Sequence, residues 1–290
     1  MEATLTTVNG DPVLRLERRL AHPPAKVWRA VTDPAELAHW FPASVEAEQR
    51  PGAAMRFTFP GEDEVTHGEV LEVDPPRVYM FRWGHDVLRF ELIPDGEGCL
   101  LVLTHTLGGG AVGRLGAGRT AAGWDSCLAT LLARLDGRDA PQERDPLGPM
   151  EHYVEAFGLA EGTVTRTGDG FELAFAHDMV WRSAEQIWAQ VVRQAPGEVL
   201  ESDEPRLLVC AVTHDGRPAG TVRWEIVSDR ELGVRVERTH TVPGSLASLV
   251  PALLAEGQVG QELLFAAVMG EPGRPWPRER YERLVKQYSS

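Results

Sequence analysis

The sequence predicts an α+β protein made of two antiparallel units in tandem. Three observations lead there. Short runs of alternating apolar and polar residues are parted by Gly-, Pro- and Asp-rich turns, as in antiparallel strands joined tightly. A long helical pattern follows each series of runs. The chain also repeats itself. Gly68-Glu69-Val70-Leu71-Glu72 recurs as Gly197-Glu198-Val199-Leu200-Glu201, and Asp74, Pro76 and Arg77 match Asp203, Pro205 and Arg206. Upstream, Val27-Trp28 matches Ile187-Trp188; downstream, Thr104-His105-Thr106 matches Thr239-His240-Thr241. The order is the same in both copies. The interval between the first and second matches is shorter in copy two by the length of one hairpin. In copy one that interval holds two extended runs, 44–49 and 53–59, around the turn Arg50-Pro51-Gly52. Copy two is therefore expected to lack one β-hairpin.

The elements of copy one follow in order. Residues 13–21 alternate as a strand. Pro23-Pro24 opens a short amphipathic helix over 25–31, since proline is tolerated in a first turn. Asp33-Pro34 caps a second short helix ending near Trp40-Phe41. After the hairpin come strands at 64–73, 78–83, 87–93 and 99–107, divided by Asp74-Pro75-Pro76, Gly84-His85-Asp86 and Pro94-Asp95-Gly96. A helix over 120–135 carries Trp124, Leu128, Leu131, Leu132 and Leu135 at helical spacing and stops at Gly137. Copy two reads alike: strand 171–181, helix 184–192, strands near 198–202, 207–213, 221–227 and 232–240, and a long helix from about Ser245. Residues 139–149 are rich in Pro and charge and precede a short helix, 150–157; a last helix is expected over 278–288. The expected divisions are a first domain 1–142, a linker with a short helix 143–162, a reduced second domain 163–270, and a tail 271–290.

Composition excludes several classes. The 290 residues are 43% hydrophobic and 25% charged, enough apolar material for two cores without metals or disulfides. Forty-three acidic against 29 basic residues give a net charge of −14. That argues against nucleic-acid partners and against anionic membrane surfaces, which need a basic face. Cys99, Cys127 and Cys210 are odd in number and widely spaced, so neither a disulfide framework nor a zinc knuckle is expected, and a cytoplasmic, reducing location is. The first residues have neither a basic region nor an apolar run, so no signal peptide is expected. Residues 245–269 are interrupted by Pro251, Glu256, Gln258, Gln261 and Glu262, which predicts a buried amphipathic helix and not a membrane span.

Particular runs carry a resemblance. They are residues 23–41, Pro-Pro-Ala-Lys-Val-Trp through His-Trp-Phe, then Gly-Glu-Val-Leu-Glu-Val-Asp-Pro-Pro-Arg at 68–77 and Phe-Arg-Trp at 81–83. Leu-Thr-His-Thr at 103–106 and Gly-Trp at 123–124 complete the set. In these copy one resembles the START/Bet v 1-like (SRPBCC) superfamily, in the branch similar to activators of the heat-shock-protein-90 ATPase. The likeness spans about residues 13–158 well; copy two resembles a degenerate version over about 163–270. The resemblance implies tandem helix-grip domains, each a curved antiparallel sheet closed by a long C-terminal helix. It speaks for fold more than for activity, because the superfamily spans lipid carriers, cyclases and chaperone partners.

A bent sheet facing one helix leaves space between them. Alternation points Tyr79, Phe81 and Trp83 inward from one strand, Leu88, Phe90 and Leu92 from the next, and Leu101, Leu103 and His105 from the last. Met55, Phe57 and Phe59 of the hairpin extend that wall. The candidate ligand-binding residues are Phe57, Phe59, Tyr79, Phe81, Trp83, Phe90, Leu103, His105, Trp124 and Leu128. They either fill a core or wall a chamber for a small hydrophobic molecule. His105 and His240 are each read first as buried histidines bonded to backbone, and second as proton carriers. The run Gly113-Arg114-Leu115-Gly116-Ala117-Gly118-Arg119-Thr120 imitates a phosphate loop but has Arg119 in place of lysine and follows an antiparallel meander; it is read as a flexible connection that could gate a cavity. His67 and Glu69, and the acidic Glu62-Asp63-Glu64, are read as solvated.

No catalytic residue, metal site or cofactor is expected. The basic tail, with Arg274, Arg278, Arg280, Arg283 and Lys286, is expected to fold back with Trp276 as its anchor. The preferred functional reading is a non-catalytic, cytoplasmic binding protein for a small hydrophobic ligand in the first domain. The alternatives are a chaperone-linked or other protein-partner module, and a cyclase- or hydratase-like enzyme.

Overall fold

The computed structural model describes residues 2–61, 64–142, 145–179, 181–214, 216–230 and 232–290. The acidic turn read at Glu62-Asp63 lies outside them. The chain divides into two compact units, Met1–Phe157 and Gly158–Ser290.

The first unit is α+β. Its strands are β1 (Thr4–Val8), β2 (Asp11–Leu20), β3 (Ser44–Ala47), β4 (Ala54–Thr58), β5 (Val65–Asp74), β6 (Val78–Trp83), β7 (Asp86–Asp95) and β8 (Gly98–Thr106). They form one antiparallel sheet in the order β1-β2-β8-β7-β6-β5-β4-β3. Helices α1 (Pro24–Thr32) and α2 (Pro34–Leu37) follow β2, while α3 (Gly110–Leu115), α4 (Ala117–Leu135) and α5 (Leu147–Ala156) follow β8.

Local chemistry fixes these elements. Pro24 stands in the first turn of α1, and the Asp33 carboxylate caps α2 by accepting the Ala35 N–H at 2.9 Å. Trp40 then donates its indole N–H to the Ala30 carbonyl at 2.9 Å, locking the end of the α2 turn under α1. The hairpin forms at the residues the Pro-Gly signal marks, with Val45 opposite Phe57. Gly68 on β5 is required by close approach: a Cβ there would sit 2.0 Å from the Arg82 carbonyl oxygen. On α4, Ala117, Ala121, Trp124, Leu128, Leu131 and Leu135 are buried, a stripe of three- and four-residue steps. α5 is held to α4 and to the N-terminus through Tyr153, whose hydroxyl donates to Asp125 and accepts from the Ala3 N–H at 3.2 Å; Arg18 pairs with the same Asp125.

Two features of this unit differ from expectation. β1 was not anticipated; its exposed Thr-rich run lacks an apolar period and exists as an edge partner of β2. The glycine-rich stretch was expected to be a flexible connection, yet it contains α3. Its glycines serve contact: a Cβ on Gly113 would lie 1.7 Å from the Gly108 carbonyl oxygen, and one on Gly108 would lie 2.5 Å from the His85 Cβ. The Gly108 N–H is itself tied to the Asp86 carboxylate at 2.8 Å.

The second unit has strands β9 (Thr163–Thr167), β10 (Gly170–Asp178), β11 (Val199–Asp203), β12 (Leu207–His214), β13 (Arg217–Asp229) and β14 (Gly233–Pro243). Their antiparallel order is β11-β12-β13-β14-β10-β9, the order of the first sheet without counterparts of β3 and β4. Helix α6 (Ala184–Arg193) begins at a Ser183/Gln186 capping box. A 3-10 turn, Gly244–Leu249, leads into α7 (Val250–Val268), and α8 (Arg278–Tyr288) follows. One turn is made twice: the Arg77 N–H bonds the Asp74 carbonyl at 2.7 Å, as the Arg206 N–H does the Asp203 carbonyl.

α7 is apolar nearly all round because it is covered on more than one side. Leu253 and Leu254 pack on Leu173, Phe175 and Val242 of the sheet, while Ala255 and Val259 pack on Leu284 of α8. The tail thus folds back, but its anchor is Leu284, 1% exposed, and not Trp276, which is 47% exposed. Arg280 pairs with Glu262 at 2.9 Å and the Tyr288 hydroxyl donates to Gln258 at 2.7 Å.

Candidate functional site

The sheet of the first unit delivers the candidate residues to one face. Phe57 on β4, Tyr79 and Phe81 on β6, Phe90 on β7, Leu103 and His105 on β8, and Trp124 and Leu128 on α4 are all buried. Phe59 and Trp83 are half-buried, at the rim. Period-two alternation accounts for the strand residues, and the register sets them side by side: Tyr79 and Phe81 oppose Phe90 and Leu88, and Phe90 opposes Leu103.

The rings form a graded series from surface to interior. Phe59 stacks on Trp83 at 5.6 Å between centroids, Trp83 on Phe57 at 4.8 Å, and Phe57 on Phe81 at 5.8 Å. Phe41, from the turn after α2, joins the series to the helix: its ring lies 5.3 Å from Trp83 and 5.6 Å from Trp124. Phe41 was not among the expected site residues, although it closes the Trp40-Phe41 signal. Trp40 meets Phe90 edge-on at 6.1 Å. Tyr79 sits at the far end of the series, against Phe81 and Trp28, and burial pushes its phenol up to about 12. It is a neutral, mostly apolar wall at neutral pH.

One polar constellation adjoins the rings. The Trp124 indole N–H donates to His105 Nδ1 at 2.8 Å. An indole nitrogen can only donate, so Nδ1 accepts and the imidazole carries its proton on Nε2. Nε2 lies 2.8 Å from Asp86 Oδ2, and Asp86 Oδ1 takes the Gly108 N–H at 2.8 Å. Burial acts to raise the Asp86 pKa. The His105 hydrogen bond, the Gly108 N–H and the charge of Arg119 outweigh it, and the carboxyl is held below its ordinary value. His105 was expected to bond backbone, since the sequence fixes no neighbouring acid; instead it bridges Asp86 and Trp124. Hairpin pairing of Leu88 with His105 brings Asp86 close, a signal present in the register of the β7–β8 turn. His240 does bond backbone, with Nε2 3.1 Å from the Ala219 carbonyl.

Chemically, the arrangement offers apolar faces and a saturated polar clamp. Both ring nitrogens of His105 and both oxygens of Asp86 are engaged, which leaves no open lone pair on the imidazole for proton abstraction. His67 and Glu69 are exposed on β5. Among the described residues, no three His, Cys, Asp or Glu side chains gather as a metal site requires. No described helix is long and apolar enough to cross a membrane.

None of the curated proteins searched is a significant match. Among solved structures, the chain is similar to a conserved protein of unknown function from Enterococcus faecalis: 23% identity, TM-score 0.48, covering 55% of this chain and 91% of that one. CalU16 from Micromonospora echinospora is also 23% identical, with a TM-score of 0.44, over 54% of this chain and 95% of its own. A Mesorhizobium loti protein is 26% identical, with a TM-score of 0.40, over 44% of this chain and 98% of its own. The family model described as "Activator of Hsp90 ATPase homolog 1-like protein" matches residues 21–136. That segment holds α1 through α4 and every candidate residue above, and over it the first unit is similar to this family, within the SRPBCC (Bet v 1-like) superfamily.

Proposed function

We propose that the chain is a non-catalytic binding protein of the cytoplasm. It comprises two tandem helix-grip domains with the second reduced, and the first takes a small hydrophobic molecule among Phe57, Phe59, Tyr79, Phe81, Trp83, Phe90, Leu103, His105, Trp124 and Leu128. The observation that carries this is the graded ring series, which begins at half-buried Phe59 and Trp83 on the rim and ends at fully buried Phe57 and Tyr79. A ligand enters by replacing rim contacts. Separating two or three aromatic pairs costs about 1–4 kcal/mol. Burying about 200 Å² of apolar ligand surface returns about 5 kcal/mol. The Asp86–His105–Trp124 clamp positions α4 against β8 and supports binding over turnover. The odd number and wide spacing of Cys99, Cys127 and Cys210 support a reducing compartment.

The test is a titration of the full chain with the neutral apolar dye N-phenylnaphthylamine. Saturable enhancement of dye fluorescence that Trp83→Ala removes supports the reading; an unchanged titration in that variant rejects it. A second reading, in which the first unit acts on a protein partner, is favoured by the family model's description alone. Stimulation of Hsp90 ATPase turnover by the full chain, persisting in Trp83→Ala, would select it.

A further inference from the structure

A cleft of about 500 Å³ lies within the second unit, lined by Trp224, Arg238, Glu256, Leu263 and Trp276 among others. Its volume suits a small-molecule ligand. Arg238 is the unusual member. The register shows why: Arg238 on β14 lies opposite both Trp224 and Phe175, as Leu103 on β8 lies opposite Phe90 and Leu16. The two positions correspond through the repeated Thr-His-Thr, so a cation occupies an inward position that is aliphatic in the first unit.

Its guanidinium sits between two rings, 5.3 Å from the Phe175 centroid and 5.7 Å from that of Trp224. Nη1 is sealed from solvent and has no hydrogen-bond partner among the described residues. Gly257 of α7 makes the room: a Cβ there would lie 2.5 Å from Nη1 and 2.4 Å from the Phe175 ring. Burial lowers the Arg238 pKa to about 10, partly offset by the charge of Glu256, so the group stays cationic at neutral pH. The residue as a whole is half-buried and lines the cleft, so the cation is within reach of a ligand there, while the sealed Nη1 makes an uncompensated charge at this position costly.

We propose that this cleft binds the carboxylate of an acid with an apolar body, Arg238 receiving the carboxylate and the Trp224 and Trp276 rings receiving the body. The planar guanidinium matches a carboxylate. Arg193 and Arg274 also line the cleft, so three arginines face one glutamate there. Arg274 already pairs with Glu271 at 2.6 Å, and Arg193 donates to Gln190 at 3.4 Å. Glu256 disfavours a second negative charge, which selects a monocarboxylate over a phosphate dianion. This site is independent of the ligand proposed for the first unit and differs from it in charge.

The test titrates the full chain with sodium octanoate, with octanol as the uncharged body, and with inorganic phosphate, following indole N–H signals by NMR. Octanoate is expected to shift the Trp224 and Trp276 signals saturably, and octanol and phosphate are not. Arg238→Met should weaken octanoate about tenfold or more. Should that variant not fold, Arg238→Lys, which keeps the charge and loses the fork, should weaken it in a folded chain. Trp83→Ala in the first unit should leave these shifts intact. Equal shifts by octanol, displacement of octanoate by equimolar phosphate, no saturable shift, or unaltered octanoate affinity in the folded Arg238 variant would each overturn the assignment.

Discussion

Asp86→Asn tests the polar clamp most sharply. The carboxylate accepts two donors, from His105 Nε2 and from the Gly108 N–H, both at 2.8 Å. An amide of the same shape keeps one acceptor and turns an N–H₂ toward the other donor. Hydrogen bonds to a charged group contribute about 1.5–3 kcal/mol each. The Asp86 side chain is 36% exposed, and water screens part of that. The expected loss is therefore about 2 kcal/mol from one broken and one weakened bond. In a unit of this size that lowers Tm by about 4–8 °C. The pH dependence fixes the cause. The folded pKa of Asp86 lies below its ordinary 3.8, so its stabilisation is complete above 3.8 and disappears as pH falls through the lowered value. Calorimetry of both proteins from neutral to acid pH should show a gap that closes in acid. Exchange of the Gly108 amide should quicken at neutral pH. A variant within about 0.5 kcal/mol of the parent, or a gap independent of pH, would refute the clamp.

Other outcomes follow from single contacts. Gly113→Ala must displace the Gly108 carbonyl 1.7 Å from the new Cβ, so urea unfolding should show a loss of about 2 kcal/mol or more, with the Gly108 amide losing protection. Leu284→Ala opens the contact of α8 with Ala255 and Val259 and should cost the second unit about 2–5 kcal/mol, seen as early proteolysis of the tail. His240 is buried, which together with the charge of Arg238 lowers its pKa from 6.5 to about 4 despite the Ala219 carbonyl. The unfolded chain then binds the proton first, so the second unit should lose up to about 3 kcal/mol as pH falls from 6.5 to about 4. His240→Leu should flatten that slope in denaturant titrations.

The strands that build the site were legible because their signal is local. Leu88, Phe90 and Leu92 alternate and burial follows that period; Tyr79, Phe81 and Trp83 alternate too, although Trp83 is half-buried and Val78, out of phase, is buried. The α4 stripe was legible for the same reason, although Leu132, expected within it, is only partly buried. What escaped was non-local. β1 and β9 are polar, exposed edges, ordered by pairing with β2 and β10 and not by their own pattern. Asp86 meets His105 through a hairpin register, which composition does not encode. α3 forms in a glycine run whose tight contacts override its weak helical preference. Arg238 reads in sequence as one more charge on a strand, and its inward placement emerges when Thr104-His105-Thr106 and Thr239-His240-Thr241 are laid in one register.

The ring series of the first unit is the feature on which ligand binding rests. NMR of the isotope-labelled full chain during addition of N-phenylnaphthylamine measures it directly. Saturable movement of the Trp83 and Trp124 indole N–H signals is expected, and it should be lost in Phe57→Ala. Indole signals of the first unit that stay fixed while the dye binds elsewhere would contradict it.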